Sequence, residues 1–118
     1  MSMDFNAALK AHSDWKITLR TAMARNEQLE VQKIAVDNAC MLGSWLHGEG
    51  KKTIGSSASY LKLVTAHAKF HREAARVASA INFRNYEEAE KLLDAGSEYM
   101  SASTNVGVAI NAVRREVG

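Results

Sequence analysis

The chain has 118 residues, 47% of them hydrophobic and 24% charged, and its 15 basic and 13 acidic residues give a net charge of +2. This composition predicts a single globular domain (residues 1–118) and excludes a disordered chain. The basic residues are scattered, which argues against nucleic-acid binding. No apolar run reaches the roughly 18–20 residues of a membrane span, and no signal peptide opens the chain. Because one cysteine cannot form an internal disulfide, a reducing cytoplasm is the expected compartment.

The first half of the chain predicts one long helix and one short one. The absence of proline and of alternating β-branched runs favours an all-α fold. Apolar residues at helical spacing predict a first helix over residues 4–24, followed by a polar connection over 25–36 that can be partly helical. A short second helix is predicted with Asp37 as its N-cap and the glycines at 48–50 as its end. A flexible loop rich in Lys, Gly and Ser is expected over 51–57.

The second half predicts two long helices, over residues 59–82 and 86–117, with a turn between them. The apolar stripe of the fourth helix includes Gly96. Long helices joined by short connections pack antiparallel. The sequence therefore predicts an all-α four-helix bundle whose short second helix carries the cysteine.

Three histidines and the only cysteine fall on the apolar stripes of these helices. A buried imidazole loses its hydrogen bonds to water, which costs about 1–3 kcal/mol for each unsatisfied group. One tetrahedral metal ion, most often zinc, satisfies three imidazoles and a thiolate together. The pattern therefore predicts a metal site formed by His12, Cys40, His67 and His71.

Each of the four residues alone is a weak signal. His67 and His71 lie one helical turn apart with both rings toward the core, but such a pair is more often accidental. A lone His12 is more often a satisfied core histidine, and a lone Cys40 more often packs as a small hydrophobe. Their coincidence on three helices that share one core favours the metal site.

The residues around the cysteine suggest a shielded site. Gly43 lies one turn after Cys40 and leaves room for a neighbouring helix or ring. Trp15 and Trp45 are expected either to exclude water from the site or to pack in the core. His47, near the end of the second helix, is expected to be solvated.

Three segments of the sequence resemble the chemoreceptor zinc-binding (CZB) domain. They are His12-x-x-Trp15, Cys40-x-Leu-Gly-x-Trp45 and His67-x-x-x-His71. The resemblance implies a zinc-binding sensory domain of bacterial cytosolic signalling proteins, with the two histidine-bearing segments and Cys40 supplying the ligands. It further implies a homodimer, attached to an output module of chemotaxis or cyclic-di-GMP signalling. The inputs it implies are zinc itself and hypochlorous acid.

The chemistry of a zinc-bound cysteine suggests how such a domain would respond. Zinc holds Cys40 as a thiolate, the form that oxidants attack, and oxidation to sulfenic acid makes the sulfur a poor donor. The short second helix is the expected moving element, since a polar connection and a glycine-containing loop flank it. We therefore expect Cys40 to be the redox-sensing residue.

Other classes of function fit the sequence less well. The segment from His67 to His71 lacks the glutamate of zinc peptidases, and four protein ligands leave no open position for a substrate, so no enzymatic activity is expected. The sequence lacks the motifs that are characteristic of di-iron and haem sites. A metal-free helical dimerisation or interaction module, with His67 and His71 as buried polar residues, remains open. The expected homodimer is also consistent with Leu92, Tyr99 and Val108, which extend the apolar surface of the fourth helix. These three residues are equally able to close a single bundle.

Overall fold

The computed structural model describes residues 3–36 and 40–117, and within these ranges the chain is entirely helical apart from turns and connections. The predicted all-α helical bundle is confirmed. The described residues form seven helices: α1 (Phe5–Ala24), α2 (Val31–Ala35), α3 (Met41–His47), α4 (Glu49–Ile54), α5 (Ala58–Asn82), α6 (Tyr86–Leu93) and α7 (Glu98–Val117).

The first and third predicted helices correspond to α1 and α5 within one residue at their ends. Asp4 caps α1 by accepting a hydrogen bond from the backbone N–H of Ala7 at 3.0 Å. Ser57 caps α5 in the same way, since its hydroxyl accepts from the N–H of Tyr60 at 3.3 Å. A side-chain acceptor at this position satisfies one of the orphan N–H groups of the first turn, which explains where both helices begin.

The region between these helices contains one helix within the predicted polar connection and another where a loop was predicted. The expected polar connection includes α2, whose Ile34 is buried, and the expected loop over 51–57 is largely replaced by α4. Gly48, with backbone angles outside the helical region, separates α3 from α4. The predicted N-cap Asp37 lies outside the described residues, and the N-cap of α3 is Cys40. Lysine is a good helix former, so a lysine-rich segment without proline forms a helix readily.

The predicted fourth helix is divided into α6 and α7. Gly96 lies between them with φ +84°, a left-handed conformation that glycine adopts without strain, so it does not belong to a helical stripe. The hydroxyl of Ser97 then accepts from the N–H of Met100 at 3.1 Å and begins α7. Hydrophobic periodicity continues across this break, which is why it suggested a single helix.

The centre of the bundle is α5, which contacts every other helix. The helices α1 and α7 pack against it and against each other, and α2, α3, α4 and α6 pack on other parts of its surface. This arrangement brings α1, the start of α3 and the middle of α5 to one place in the core. Among the helices of the described ranges, none is long and apolar enough to cross a membrane.

Candidate metal centre

The structure brings together all four residues that the sequence singled out as metal ligands. One donor atom from each of His12, Cys40, His67 and His71 lies within 4.8 Å of the others. The three histidines are buried, with exposed fractions of 6%, 0% and 3%, and Cys40 is half-buried. The group is therefore a cluster of soft and borderline donors withdrawn from water.

The spacing of three of these donors matches that of a tetrahedral zinc site. The sulfur of Cys40 lies 3.2 Å from Nε2 of His67 and 3.7 Å from Nε2 of His71, and the two Nε2 atoms are 3.1 Å apart. Zinc–nitrogen and zinc–sulfur bonds of about 2.0–2.1 and 2.3 Å give tetrahedral edges of roughly 3.3 Å between nitrogens and 3.5 Å between nitrogen and sulfur. The cluster therefore needs little rearrangement to surround an ion.

Cys40 is held by its own helix. As the N-cap of α3, its sulfur accepts a hydrogen bond from the backbone N–H of Gly43 at 3.3 Å. This bond fixes the sulfur at the start of α3, close to the histidines of α5. Gly43 therefore contacts the site through its backbone N–H. The sequence had suggested only that its missing side chain leaves room for a neighbour.

Two of the histidines are oriented by backbone carbonyl groups. Nδ1 of His12 lies 2.8 Å from the carbonyl oxygen of Ala8, and Nδ1 of His71 lies 2.9 Å from that of Ile34. A carbonyl oxygen only accepts hydrogen bonds, so Nδ1 carries the proton in both rings. Nε2 then carries no proton, and its lone pair is able to bind a metal. This pairing of one ring nitrogen with an acceptor is typical of metal-binding histidines.

An unsatisfied atom indicates that the cluster fits a metal. Nε2 of His12 is buried and has no hydrogen-bond partner among the described residues. A bare, buried ring nitrogen costs free energy unless it donates its lone pair. With Nδ1 already bonded to Ala8, coordination by Nε2 of His12 removes that cost. The donor set of three imidazoles and one thiol is one that zinc prefers.

His67 differs from the other two histidines. Its Nε2 faces the cluster, while its Nδ1 is buried without a partner within the described part of the chain. Burial, and then the nearby imidazoles of His71, His12 and His47, lower the pKa of His67 to about 3. The ring is therefore neutral near pH 7, the state in which a histidine binds a metal.

Burial also lowers the pKa of His12. The hydrogen bond to Ala8 opposes this effect, and the imidazole of His71 adds to it. Both His12 and His67 are thus kept as neutral bases by their surroundings. An exposed histidine is protonated in a larger fraction of molecules, and that proton must leave before the ring binds a metal.

The aromatic neighbours of the site include one residue that the sequence analysis missed. Phe70 is fully buried, and its ring meets those of His12 and His71 edge to face, with centroids 5.1 and 5.7 Å away. Its position between two predicted ligands on the same helix was the available signal. Phe70 restricts the tilt of both imidazoles by packing against them.

The two tryptophans occupy different environments. Trp15 lines a cleft of about 450 Å³ that reaches Cys40 and His71, in agreement with a place at the border of the site. Trp45 packs edge to face on Phe5, with centroids 5.4 Å apart, and so contributes to the core. His47 is exposed at the end of α3, as expected.

Comparison with known proteins gives one match. The sequence model of a family described as the chemoreceptor zinc-binding domain matches residues 12–78, more than half of the chain. That range includes all four residues of the cluster. No curated protein and no solved structure matches the chain significantly.

Proposed function

The chain belongs to the chemoreceptor zinc-binding (CZB) domain family, and on this premise we propose that it is the zinc-binding sensory domain of a bacterial cytosolic signalling protein. The observation that carries the proposal is the buried cluster of three histidines and a cysteine. We assign no enzymatic activity to it, since four protein ligands would leave no open coordination position for a substrate.

The proposed ligands are His12, Cys40, His67 and His71. When bound, zinc would supply the positive charge that keeps the sulfur of Cys40 as a thiolate. The Nε2 atoms of His12 and His71 are left bare by the carbonyl groups of Ala8 and Ile34. Burial keeps the pKa of His67 low, so that this ring donates without competition from protons at neutral pH.

We propose Cys40 as the redox-sensing residue and hypochlorous acid as its oxidant. The thiolate attacks the oxygen of hypochlorous acid, a sulfur–oxygen bond forms, and the oxygen–chlorine bond breaks. Sulfur is oxidised to sulfenic acid by two electrons, which leave with chloride, and the proton of the acid stays on the new hydroxyl. The half-buried sulfur at the end of the cleft beside Trp15 is consistent with attack by a small oxidant.

The proposed response begins at α3. Oxidised Cys40 is a poor donor, and it both caps α3 and joins that helix to α5 through the cluster. Loss of one donor out of four shifts a local equilibrium by a few kcal/mol, about the amount that switches a two-state element. The change would pass through a homodimer to an output module of chemotaxis or cyclic-di-GMP signalling.

Measurement of zinc binding tests this proposal. We expect one zinc ion per purified chain, and an affinity about a hundredfold lower in His12→Gln, His67→Gln, His71→Gln and Cys40→Ala variants, as loss of one ligand in four implies. The matched control is His47→Gln, which changes the one histidine outside the cluster and is expected to bind as the wild type does.

The same proteins test the redox part of the proposal. A stoichiometric dose of hypochlorous acid is expected to release zinc from the wild type, with sulfenic acid detected at Cys40. Metal release from Cys40→Ser at the same dose would contradict the assignment of Cys40. If the wild type binds no zinc at all, the chain is instead a metal-free helical interaction module.

A further inference from the structure

The segment before Cys40 is attached to α5 at two places. We call residues 28–36, which include α2, the strap. Asn82, the last residue of α5, accepts from the N–H of Leu29 through Oδ1 and donates to its carbonyl oxygen through Nδ2, both at 2.7 Å. The side chain of Gln28 donates to the carbonyl oxygen of Asn82 at 3.2 Å. Both backbone groups of Leu29 are thus held at one end of the strap.

The other end of the strap touches the metal centre. The carbonyl oxygen of Ile34 accepts from Nδ1 of His71 at 2.9 Å, and the side chain of Ile34 is buried in the core. His71 lies eleven residues before Asn82 on the same helix, a distance of roughly 16 Å along the axis. The strap therefore runs antiparallel to α5, with one attachment at Asn82 and the other at His71.

This geometry makes the position of the Ile34 carbonyl dependent on Asn82. A carbonyl can accept the Nδ1 proton of His71 only when the strap lies in one register along α5. Since α5 is a continuous helix, the distance between Asn82 and His71 is constant, and the Leu29 bonds set the register from there. A shift of the strap thus displaces the hydrogen-bond partner of His71.

We propose that Asn82 is a positioning residue of the metal centre, which holds the strap in the register that orients His71. The proposal rests on the proposed function, because His71 is one of the four proposed ligands. Asn82 touches neither the metal ligands' donor atoms nor any substrate, and it acts through the backbone of the strap.

The test compares Asn82→Ala with a variant that is destabilised elsewhere. Val113→Ala removes two buried methyl groups from α7 near the opposite end of α5, where Glu116 binds Ser57. Zinc affinity is measured by competition with a chelator, and the thiolate-to-cobalt charge-transfer band is recorded after cobalt substitution. We expect about tenfold weaker binding and a weakened band in Asn82→Ala, as for loss of an outer partner of a ligand. Val113→Ala is expected to keep both.

A graded substitution and a metal-free measurement complete the test. Asn82→Asp keeps the acceptor for the N–H of Leu29 but places a second acceptor against the carbonyl oxygen of Leu29. Its zinc affinity is therefore expected to lie between those of the wild type and Asn82→Ala. In the metal-free protein, nitrogen NMR is expected to show His71 as the Nδ1–H tautomer in the wild type and as a mixture in Asn82→Ala.

The results that would overturn the proposal are distinct from those that overturn the function. An unchanged His71 tautomer, or equal loss of affinity in Asn82→Ala and Val113→Ala, would leave Asn82 with a purely structural role. A wild type that binds no zinc contradicts the proposed function instead, and the tautomer measurement still decides whether Asn82 orients His71.

Discussion

The three histidines of the cluster are chemically different although their side chains are the same. The rings of His12 and His71 each donate an Nδ1 proton to a carbonyl group, whereas Nδ1 of His67 has no partner within the described residues. When Nε2 of His67 binds a metal, the ring proton must be on Nδ1. Among the described residues, no carbonyl group accepts that proton, in contrast to His12 and His71. We infer that His67 contributes its position at the centre of the cluster, and the other two contribute fixed orientation.

The low pKa of His67 predicts acid sensitivity of the metal-free protein. Unfolding returns the pKa of His67 from about 3 to the ordinary histidine value of 6.5, so the unfolded chain binds more protons between these values. The free energy of unfolding should therefore fall as the pH drops from 7 to 5, by at most about 1.4 kcal/mol per pH unit for this residue. The burial of His12 acts in the same direction. Urea unfolding of the metal-free protein at several pH values measures the slope.

Two variants identify the residue responsible for that slope. His67→Leu removes the titrating group and is expected to unfold with a shallower pH dependence. Val113→Ala, which lowers the stability of the core without removing a titrating group, is expected to keep the wild-type slope. A slope unchanged by His67→Leu would show that burial of His67 does not govern the acid sensitivity.

At the scale of elements, α3 is held by contacts on both sides. Its first residue follows the Cys40 cap, and Trp45 packs between Phe5 and the backbone at Gly50 in α4. A Cβ atom at Gly50 would lie 2.8 Å from two carbons of the Trp45 ring. The close packing of α4 on this indole explains why a glycine stands within that helix.

A pair of glycine-to-alanine substitutions tests this packing. Gly50→Ala is expected to destabilise the protein by about 1–3 kcal/mol, because the indole of Trp45 must move. Gly107→Ala is the control, since its nearest non-hydrogen atom would be Cδ2 of Leu9 at 4.0 Å. It is expected to be neutral or to stabilise the helix by about 0.5–1 kcal/mol. Chemical denaturation measures both, and equal effects would contradict a specific contact at Gly50.

At the scale of the whole molecule, the question is which apolar surface remains for a partner. Of the three residues that extended the apolar surface of the fourth helix, Tyr99 is buried and Leu92 is half-buried, so the bundle itself accounts for most of their burial. Val108 is 65% exposed and lines a groove of about 620 Å³ between α5 and α7 together with Leu61, which is 54% exposed. We assign the proposed homodimer contact to this groove.

Substitution of Val108 tests the homodimer. Val108→Lys adds a positive charge to a groove that Lys62 and Lys69 already line, and is expected to give monomers where the wild type forms dimers, because like charges are costly in a partly apolar interface. Ile17→Lys is the matched control, since Ile17 is equally exposed, at 65%, on α1. Sedimentation equilibrium measures the dissociation constants. A wild-type chain that is monomeric at high concentration contradicts the dimer, and equal weakening by both variants contradicts its location.

Local patterns predicted much of the fold and the residues of the candidate site. The spacing of apolar residues shows which side of a helix faces the core, and it placed His12, His67 and His71 there because burial depends mainly on that periodicity. The one-turn separation of His67 and His71 follows from helix geometry. Whether these residues hold zinc stays a prediction, but their assembly into one cluster was foreseeable.

The remaining features depend either on local backbone preferences or on contacts between distant segments. The break at Gly96 and the helix at α4 are decided by local backbone competition that hydrophobic periodicity does not record. The bond from His71 to Ile34 spans 37 residues, and the bonds between Asn82 and Leu29 span 53. Such partners are backbone groups, which every residue carries, so no pattern of side chains reveals them. The chain therefore specified through its sequence pattern which side chains would meet, while their orientation became definite only when the strap was packed against α5.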